Sequence, residues 1–282
     1  MSRTTAQALA EARTLGLDRL DAQLLLLHAL GKSHGDRAWL LAHDTDALSD
    51  DVTRQFDALA ERRVAGEPLA YLVGHKEFFG LRLHVDPRVL IPRPDTETLV
   101  SWSLELLQSD TLPADAAVLD LGTGSGAIAL AIAQHFKTAQ IPGRVSAADA
   151  SAGAIAVARE NALRLGLDVA LIQSNWFENV GEHFHLIATN PPYVANADPH
   201  LADLTHEPLA ALTAGADGLD DLRKIIAQAP THLDQAGWLL LEHGFDQALA
   251  VRELLTQRGF VQVQSRLDLA GIERCSGGQW QG

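Results

Sequence analysis

The residues best equipped for chemistry in this chain are Asn190-Pro191-Pro192-Tyr193. They follow an apolar run, 184–188, whose continuity marks a strand buried in a sheet. Proline has no N–H for a ladder and fixes its own φ, so two in succession end the strand and turn the chain. Asn190 and Tyr193 are then presented at the carboxyl edge, where open α/β sheets bind ligands. A carboxamide oxygen, a proline carbonyl locked beside it and an aromatic ring suit the task of holding a planar amide or amino group. The nitrogen of such a group is a poor nucleophile because its lone pair is delocalised. Asn190 and Pro191 can fix its N–H groups so that the lone pair turns toward an electrophilic methyl, while Tyr193 stacks on the planar acceptor. Catalysis of this kind rests on positioning and electrostatics rather than a general base, and the leaving proton can go to water. The bland reading of the same residues is a Pro-Pro turn closing a strand.

What the tetrapeptide does depends on a second stretch upstream, Val118-Leu119-Asp120-Leu121-Gly122-Thr123-Gly124-Ser125-Gly126. Its glycines let the backbone turn tightly and come close to a ligand. The helix expected after it offers free N–H groups. Gly122, Gly124 and Ala127 also satisfy the dinucleotide fingerprint with alanine in third place. Asp149, ending the next expected strand, fits a ribose-binding acid in either reading. Asp120 shifts the balance, since a carboxylate two residues before Gly122 can face a cationic or amine-bearing ligand but would repel a pyrophosphate. The structural alternatives are a loop cap for Asp120 and a turn-forming acid for Asp149. No constellation for hydride transfer is visible, which weakens a nicotinamide-binding oxidoreductase.

The elements that must position these residues alternate between strand and helix. Strands are expected at 117–121, 144–149, 169–174, 185–189, 237–242, 260–267 and 273–280. Helical patterns lie at 126–135, 152–165, 219–229 and 247–257. Such alternation predicts an α/β, Rossmann-like fold with a seven-stranded, mostly parallel sheet covered on both faces. The last two strands, separated only by a turn at Gly271, should form an antiparallel hairpin. Residues 1–66 read as helices only, at 6–15, 18–30, 37–42 and 49–63, with Asp18 and Ser49 as N-caps and Gly31 and Gly66 as stops. Between the two regions, 81–85 alternates like a strand, Ile91-Pro92-Arg93-Pro94 is stiff and extended, and Asp95-Thr96-Glu97 opens a helix. The expected division is a helical domain at 1–78 and a second domain, with its leading hairpin, at 79–282.

Composition excludes several functions. The 282 residues carry a formal charge of −14, with 22 Lys and Arg against 36 Asp and Glu, which argues against a duplex nucleic acid as substrate. The single cysteine, Cys275, leaves no intramolecular disulfide and no multi-cysteine zinc site, and no metal is called for. No secretory signal or membrane span is visible, so the expectation is a cytoplasmic monomer with no membrane partner.

The paired stretches Asp120–Gly126 and Asn190–Tyr193 resemble the S-adenosylmethionine-dependent amino-methyltransferases. That pairing alone also covers enzymes acting on adenine, cytosine or guanine in nucleic acid. The narrower match lies in Pro68-Leu-Ala-Tyr71-Leu-Val-Gly74, Phe78-Phe-Gly80-Leu81, Val89-Leu-Ile-Pro-Arg-Pro-Asp-Thr-Glu97, Glu207-Pro208-Leu-Ala-Ala-Leu212 and Leu241-Glu-His-Gly244. Together these resemble the peptide chain release factor glutamine methyltransferases, the PrmC/HemK family, over nearly the whole chain. The resemblance implies methyl transfer from S-adenosylmethionine to the glutamine side-chain nitrogen (N5) in the Gly-Gly-Gln motif of class 1 release factors, with S-adenosylhomocysteine as product. It implies that Gly122, Thr123, Gly124 and Gly126, with Asp120, line the cofactor, that Asp149 binds its ribose and that Trp176 lies against the adenine. Asn190, Pro191, Pro192 and Tyr193 would hold the glutamine, and Arg93 and Pro94 would border its pocket. The helices of the N-terminal domain would grip the release factor away from the reacting centre.

One residue departs from the family pattern. Asn175 stands where an aspartate usually accepts from the adenine amino group, and its amide oxygen can still accept. His243, at a strand end, is read as structural. The chain's own Gly277-Gly278-Gln279 falls in the expected terminal hairpin and is read as structural too. The competing readings are a nucleic-acid amino-methyltransferase, which would call for a basic channel, and a non-catalytic binding protein that kept the fold.

Overall fold

The computed structural model describes residues 3–109 and 111–282, and the chain separates into two compact units, Met1–His75 and Lys76–Gly282. The first unit is helical: α1 (Thr5–Thr14), α2 (Arg19–Ala29), α3 (Arg37–Ala42), α4 (Asp50–Val64) and α5 (Leu69–Val73). Its helices begin where the sequence supplies caps. Thr4 and Gln7 form a reciprocal capping box, Asp18 accepts from the Leu20 N–H, and Ser49 accepts from the Val52 N–H. Leu25, Leu26 and Leu27 are fully buried with Phe56, Leu40 and Ala8 and form the centre of the bundle. The short α5 was not expected. Pro68 leads into it and Gly74, at φ 73°, ends it.

A hairpin of β1 (His75–Phe78) and β2 (Leu81–His84) begins at the last residue of the first unit and leads into the second. Phe79 and Gly80 both take positive φ, 49° and 77°, the two-residue turn whose twist matches that of the flanking strands. After a 3-10 turn at Pro94–Thr96 come α6 (Glu97–Gln108), β3 (Ala117–Leu121), α7 (Ala127–Ala139), β4 (Arg144–Asp149), α8 (Ala152–Leu165), β5 (Ala170–Gln173) and β6 (Phe184–Thr189). Then follow α9 (Asp220–Gln228), β7 (Leu233–Glu242), α10 (Ala248–Arg258), β8 (Val261–Leu267) and β9 (Glu273–Gln279).

The seven-stranded sheet runs β5-β4-β3-β6-β7-β9-β8, with β9 antiparallel to both of its neighbours and the other pairs parallel. Alternate residues along each central strand enter opposite cores. Val118, Leu186 and Leu240 pack under α6 and α7, whereas Leu119, Ile187 and Leu239 pack under α9 and α10. Truncating one of these fully buried leucines to alanine costs roughly 2–5 kcal/mol. Strand order reverses between β3 and β6, which opens a crevice at their carboxyl ends. Thr189 on β6 donates from Oγ1 to the Leu121 carbonyl on β3 at 2.6 Å, pinning the two strand ends that feed the crevice.

β9 carries Gly277-Gly278-Gln279 in the sheet interior. A Cβ on Gly277 would sit 2.5 Å from Leu240 Cδ2, so glycine there is a packing requirement. Gln279 donates to the Ala236 carbonyl at 3.0 Å and accepts from Gln262, which ties the tripeptide into the sheet. Among the described residues, no helix is long and apolar enough to cross a membrane.

Candidate active site

The glycine loop leaves β3 and is shaped by backbone bonds. Gly122 and Thr123 both donate to the Ala148 carbonyl of β4, and Gly122, Gly124 and Gly126 take φ of 79°, 55° and 87°. That left-handed region favours glycine at all three positions. A Cβ on Gly122 would touch the Trp176 ring at 3.4 Å, so the bare glycine leaves space between loop and indole. Trp176 itself sits at φ 49°, a strained conformation for a bulky residue, held by Ser174 Oγ donating to its carbonyl at 2.8 Å.

Asp120 is fully buried beneath this loop. Its Oδ2 accepts from Thr123 Oγ1 at 2.6 Å and from the Ala129 N–H at 3.0 Å, while Oδ1 has no hydrogen-bond partner among the described residues. Burial pushes its carboxyl up to about 7, against those two hydrogen bonds. The sequence had suggested a carboxylate facing a ligand; the structure places it as a brace between loop and helix. Asp149, at the end of β4, accepts from the Gly124 N–H at 2.9 Å and the Ser151 N–H at 2.8 Å. Burial raises its carboxyl and the two backbone donors oppose the rise.

A cavity of about 420 Å³ lies over the loop. Gly122, Gly124, Asp149, Asn175, Trp176, Asn190 and Pro192 contribute to its lining. Asp120, Thr123 and Gly126 do not, nor do Pro191, Tyr193, Arg93 and Pro94. Asn175 donates from its amide nitrogen to Glu178 at 2.7 Å, and among the described residues its amide oxygen accepts no hydrogen bond.

On the other side of the crevice the tetrapeptide is held by side chains. Asn190 donates from Nδ2 to Thr96 Oγ1 at 3.1 Å. Tyr193 donates from its hydroxyl to Glu242 Oε1 at 3.2 Å. Glu242 is wholly buried and pushed up to about 7 by desolvation, despite nearby Thr96, Tyr193 and Arg274, which favour its charge. Burial beside that carboxylate raises the Tyr193 phenol in turn. His243 is also wholly buried, bonded to Ser276 Oγ at 2.8 Å and to the Gly244 carbonyl, and burial lowers its pKa.

The segment after Tyr193 folds back as a wall. Val194 donates to Leu212 O and accepts from Ala214 N–H. Glu207 then accepts from the Ile91 N–H at 3.1 Å and pairs with Arg93, latching this wall to the extended proline segment. Pro208, Ala210 and Ala211 reach the cavity from it. Arg93 therefore faces Glu207, and Pro94 opens the turn that carries Thr96.

Sequence reasoning missed several parts. Asn161 of α8 is buried, donates to Ser125 O and His84 O at 2.9 Å, and accepts from His84 N–H, joining the glycine loop to the hairpin. Arg88 and Leu90, after the hairpin, and Lys224 and Asp221, on α9, also line the cavity. The one available signal was Asn161, a polar residue on the apolar face of a helix.

A seven-stranded sheet of this order, with one antiparallel strand inserted near its edge, is the Rossmann-like fold of class I methyltransferases. A methyltransferase from Pyrococcus furiosus shares the fold, with a TM-score of 0.53 at 19% identity over 79% of this chain and 98% of that one. Residues 103–215 match the methyltransferase small domain, and residues 2–74 match the PrmC N-terminal domain. The release factor glutamine methyltransferase of Bordetella pertussis is 50% identical over 93% of this chain and 95% of its own length. The enzyme of the same description from Xylella fastidiosa is 47% identical over 98% of each. The chain belongs to the release factor glutamine methyltransferase family.

Proposed function

We propose that the chain transfers the methyl group of S-adenosylmethionine to the side-chain amide nitrogen of the glutamine in the Gly-Gly-Gln motif of class 1 peptide chain release factors, acting in translation termination. The observation that supports this most is the Asn190 amide, which borders the cavity and is fixed through its nitrogen, so that its oxygen is left to accept. An acceptor oxygen beside a proline carbonyl suits an acceptor bearing two N–H groups.

The cavity fits a nucleoside-bearing cofactor. The left-handed loop brings backbone close at Gly122 and Gly124, Trp176 offers a flat face, and Asp149 supplies a carboxylate at the strand end. When bound, S-adenosylmethionine supplies an electrophilic methyl on a sulfonium and leaves as S-adenosylhomocysteine. Asp149 would accept from the ribose hydroxyls, and the Asn175 oxygen would accept from the adenine amino group. The side chains' work is to orient. Asn190 Oδ1 and the Pro191 carbonyl hold the two amide protons of the substrate, which turns its nitrogen lone pair toward the methyl. The nitrogen loses a proton to water as the C–N bond forms.

Tyr193 borders the substrate amide, with its ring held by Glu242. The Glu207-latched wall and Arg93 shape the approach of the peptide. The helical unit would recruit the release factor. The charge of −14 supports a protein rather than a nucleic-acid acceptor. The chain would work in the cytoplasm as a monomer. Tandem mass spectrometry of a class 1 release factor incubated with the chain and S-adenosylmethionine tests this. One methyl on the motif glutamine is expected; an unmodified glutamine overturns the reading.

A further inference from the structure

Thr96, Asn190, Tyr193 and Glu242 come from the turn before α6, the tetrapeptide after β6 and the end of β7, and they meet at one edge of the crevice. The bonds among them have a direction. Thr96 Oγ1 accepts from Asn190 Nδ2 at 3.1 Å. A hydroxyl has a single proton, so that of Thr96 needs an acceptor of its own. Glu242 Oε2 is a fully buried oxygen without a hydrogen-bond partner among the described residues, and the Thr96 hydroxyl is close enough to favour the charge on that carboxylate. Oε1 already accepts from Tyr193 at 3.2 Å. The other charged groups facing the carboxylate are Arg274, which pairs with Asp268, and Asp95.

In its ionised form, above about pH 7, Glu242 can only accept. With Glu242 at its end the sequence of bonds would run one way: the Thr96 hydroxyl, turned toward the unpartnered Oε2, would give its proton to Glu242, Asn190 gives an N–H to Thr96, and the Asn190 oxygen is left for the crevice. If the amide were rotated, its oxygen would meet the lone pairs of Thr96 and its NH₂ would meet the N–H groups of the substrate. Both contacts repel.

We infer that Glu242 and Thr96 are positioning residues for methyl transfer, fixing which end of the Asn190 amide faces the substrate nitrogen, while the same carboxylate holds the Tyr193 ring by its hydroxyl. The inference rests on the proposed acceptor being an amide nitrogen.

Glu242→Gln tests it, because the change is nearly isosteric but gives the group an NH₂. That NH₂ can donate to Thr96, which frees the Thr96 proton to point at Asn190 and reverses the amide. With the full chain, S-adenosylmethionine and an intact release factor, kcat should fall about a hundredfold, the scale of a small misplacement in a positioned site. KM for the release factor, the Kd for S-adenosylmethionine and the melting temperature at pH 7 should show no loss. Thr96→Val should lower kcat in the same way, and Thr96→Ser, which keeps the hydroxyl, should restore most of it. Native turnover in Glu242→Gln overturns the inference, as does a fall in kcat matched by equal losses in cofactor affinity and melting temperature. A native chain that leaves the release factor unmethylated removes the proposed function and the inference together. A native chain that methylates it, beside an equally active Glu242→Gln, removes the inference alone.

Discussion

The two sides of the crevice are held by different kinds of bond. On the glycine-loop side, the carboxylates of Asp120 and Asp149 accept mainly from backbone N–H groups, those of Ala129, Gly124 and Ser151, and from one hydroxyl of the loop itself, Thr123. On the tetrapeptide side, Asn190 and Tyr193 are held by the side chains of Thr96 and Glu242, 94 and 49 residues away in the chain. Backbone donors are present whatever the neighbouring side chains are, so the loop is a local device that shapes a binding surface. A side-chain network can be altered one atom at a time without moving the strands that carry it. Substitutions on the first side should therefore act on cofactor binding and stability, and those on the second on turnover.

The largest effect should break the tetrapeptide side alone. Asn190→Ala should lower kcat by about a thousandfold, the upper range for removing a group that faces charge developing in the transition state. Its melting temperature and its affinity for S-adenosylmethionine should stay near native, read by thermal denaturation and calorimetry. A variant that loses stability instead of turnover would erase the contrast.

Protonation provides the next test. Glu242 rises from 4.5 to about 7 on folding, so the folded chain binds this proton more tightly than the unfolded chain. Its contribution to stability is then full below pH 4.5 and is lost as pH climbs toward 7. Glu242→Gln has no such proton. Its stability relative to the native chain should improve by on the order of 3 kcal/mol between pH 4.5 and 7, measured by urea denaturation across that window. A pH-independent difference would mean that the carboxyl titrates alike in both states.

Much of the first side was legible in the sequence because its causes are local. A strand ending in Gly122-Thr123-Gly124 can only turn, and an acid ending the next strand lands beside it. The strand pattern gave the parallel sheet and the closing hairpin for the same reason. Asp120 was harder, since a buried brace and a ligand-facing acid have the same letter, and only its burial separates them. The partners of Asn190 and Tyr193 were not legible, because Thr96 and Glu242 reach them only once the sheet has formed. Nor was the wall from Val194 to Leu219. Its short 3-10 turns carry no periodicity, and it is held by long-range side-chain bonds, Glu207 to Ile91 and Arg93 and Gln247 to the Asp217 carbonyl. The early part of β7 escaped notice because Ala236, at φ 63°, interrupts the strand pattern there.

Two smaller effects sharpen the loop side. Asp149→Ala should weaken S-adenosylmethionine binding by about 2 kcal/mol, the scale of a hydrogen bond to a charged group, as read by calorimetry. Unchanged affinity would remove Asp149 from the cofactor's partners. Ser151 caps α8 by accepting from the Ala154 N–H at 3.2 Å. Ser151→Ala should cost about 1 kcal/mol of unfolding free energy, measured by urea denaturation. A neutral result would show that the cap adds nothing to the bonds already made through the Ser151 backbone.

Whether Asn190 holds a glutamine side chain for methylation can be read from labelled methyl transfer. S-adenosylmethionine carrying a radiolabelled methyl would be offered with a purified class 1 release factor, beside a copy whose Gly-Gly-Gln glutamine is replaced by alanine. Label is expected on the first and not on the second, with the Asn190→Ala chain failing to label either. Equal label on both release factors, or none on the first, would contradict that role.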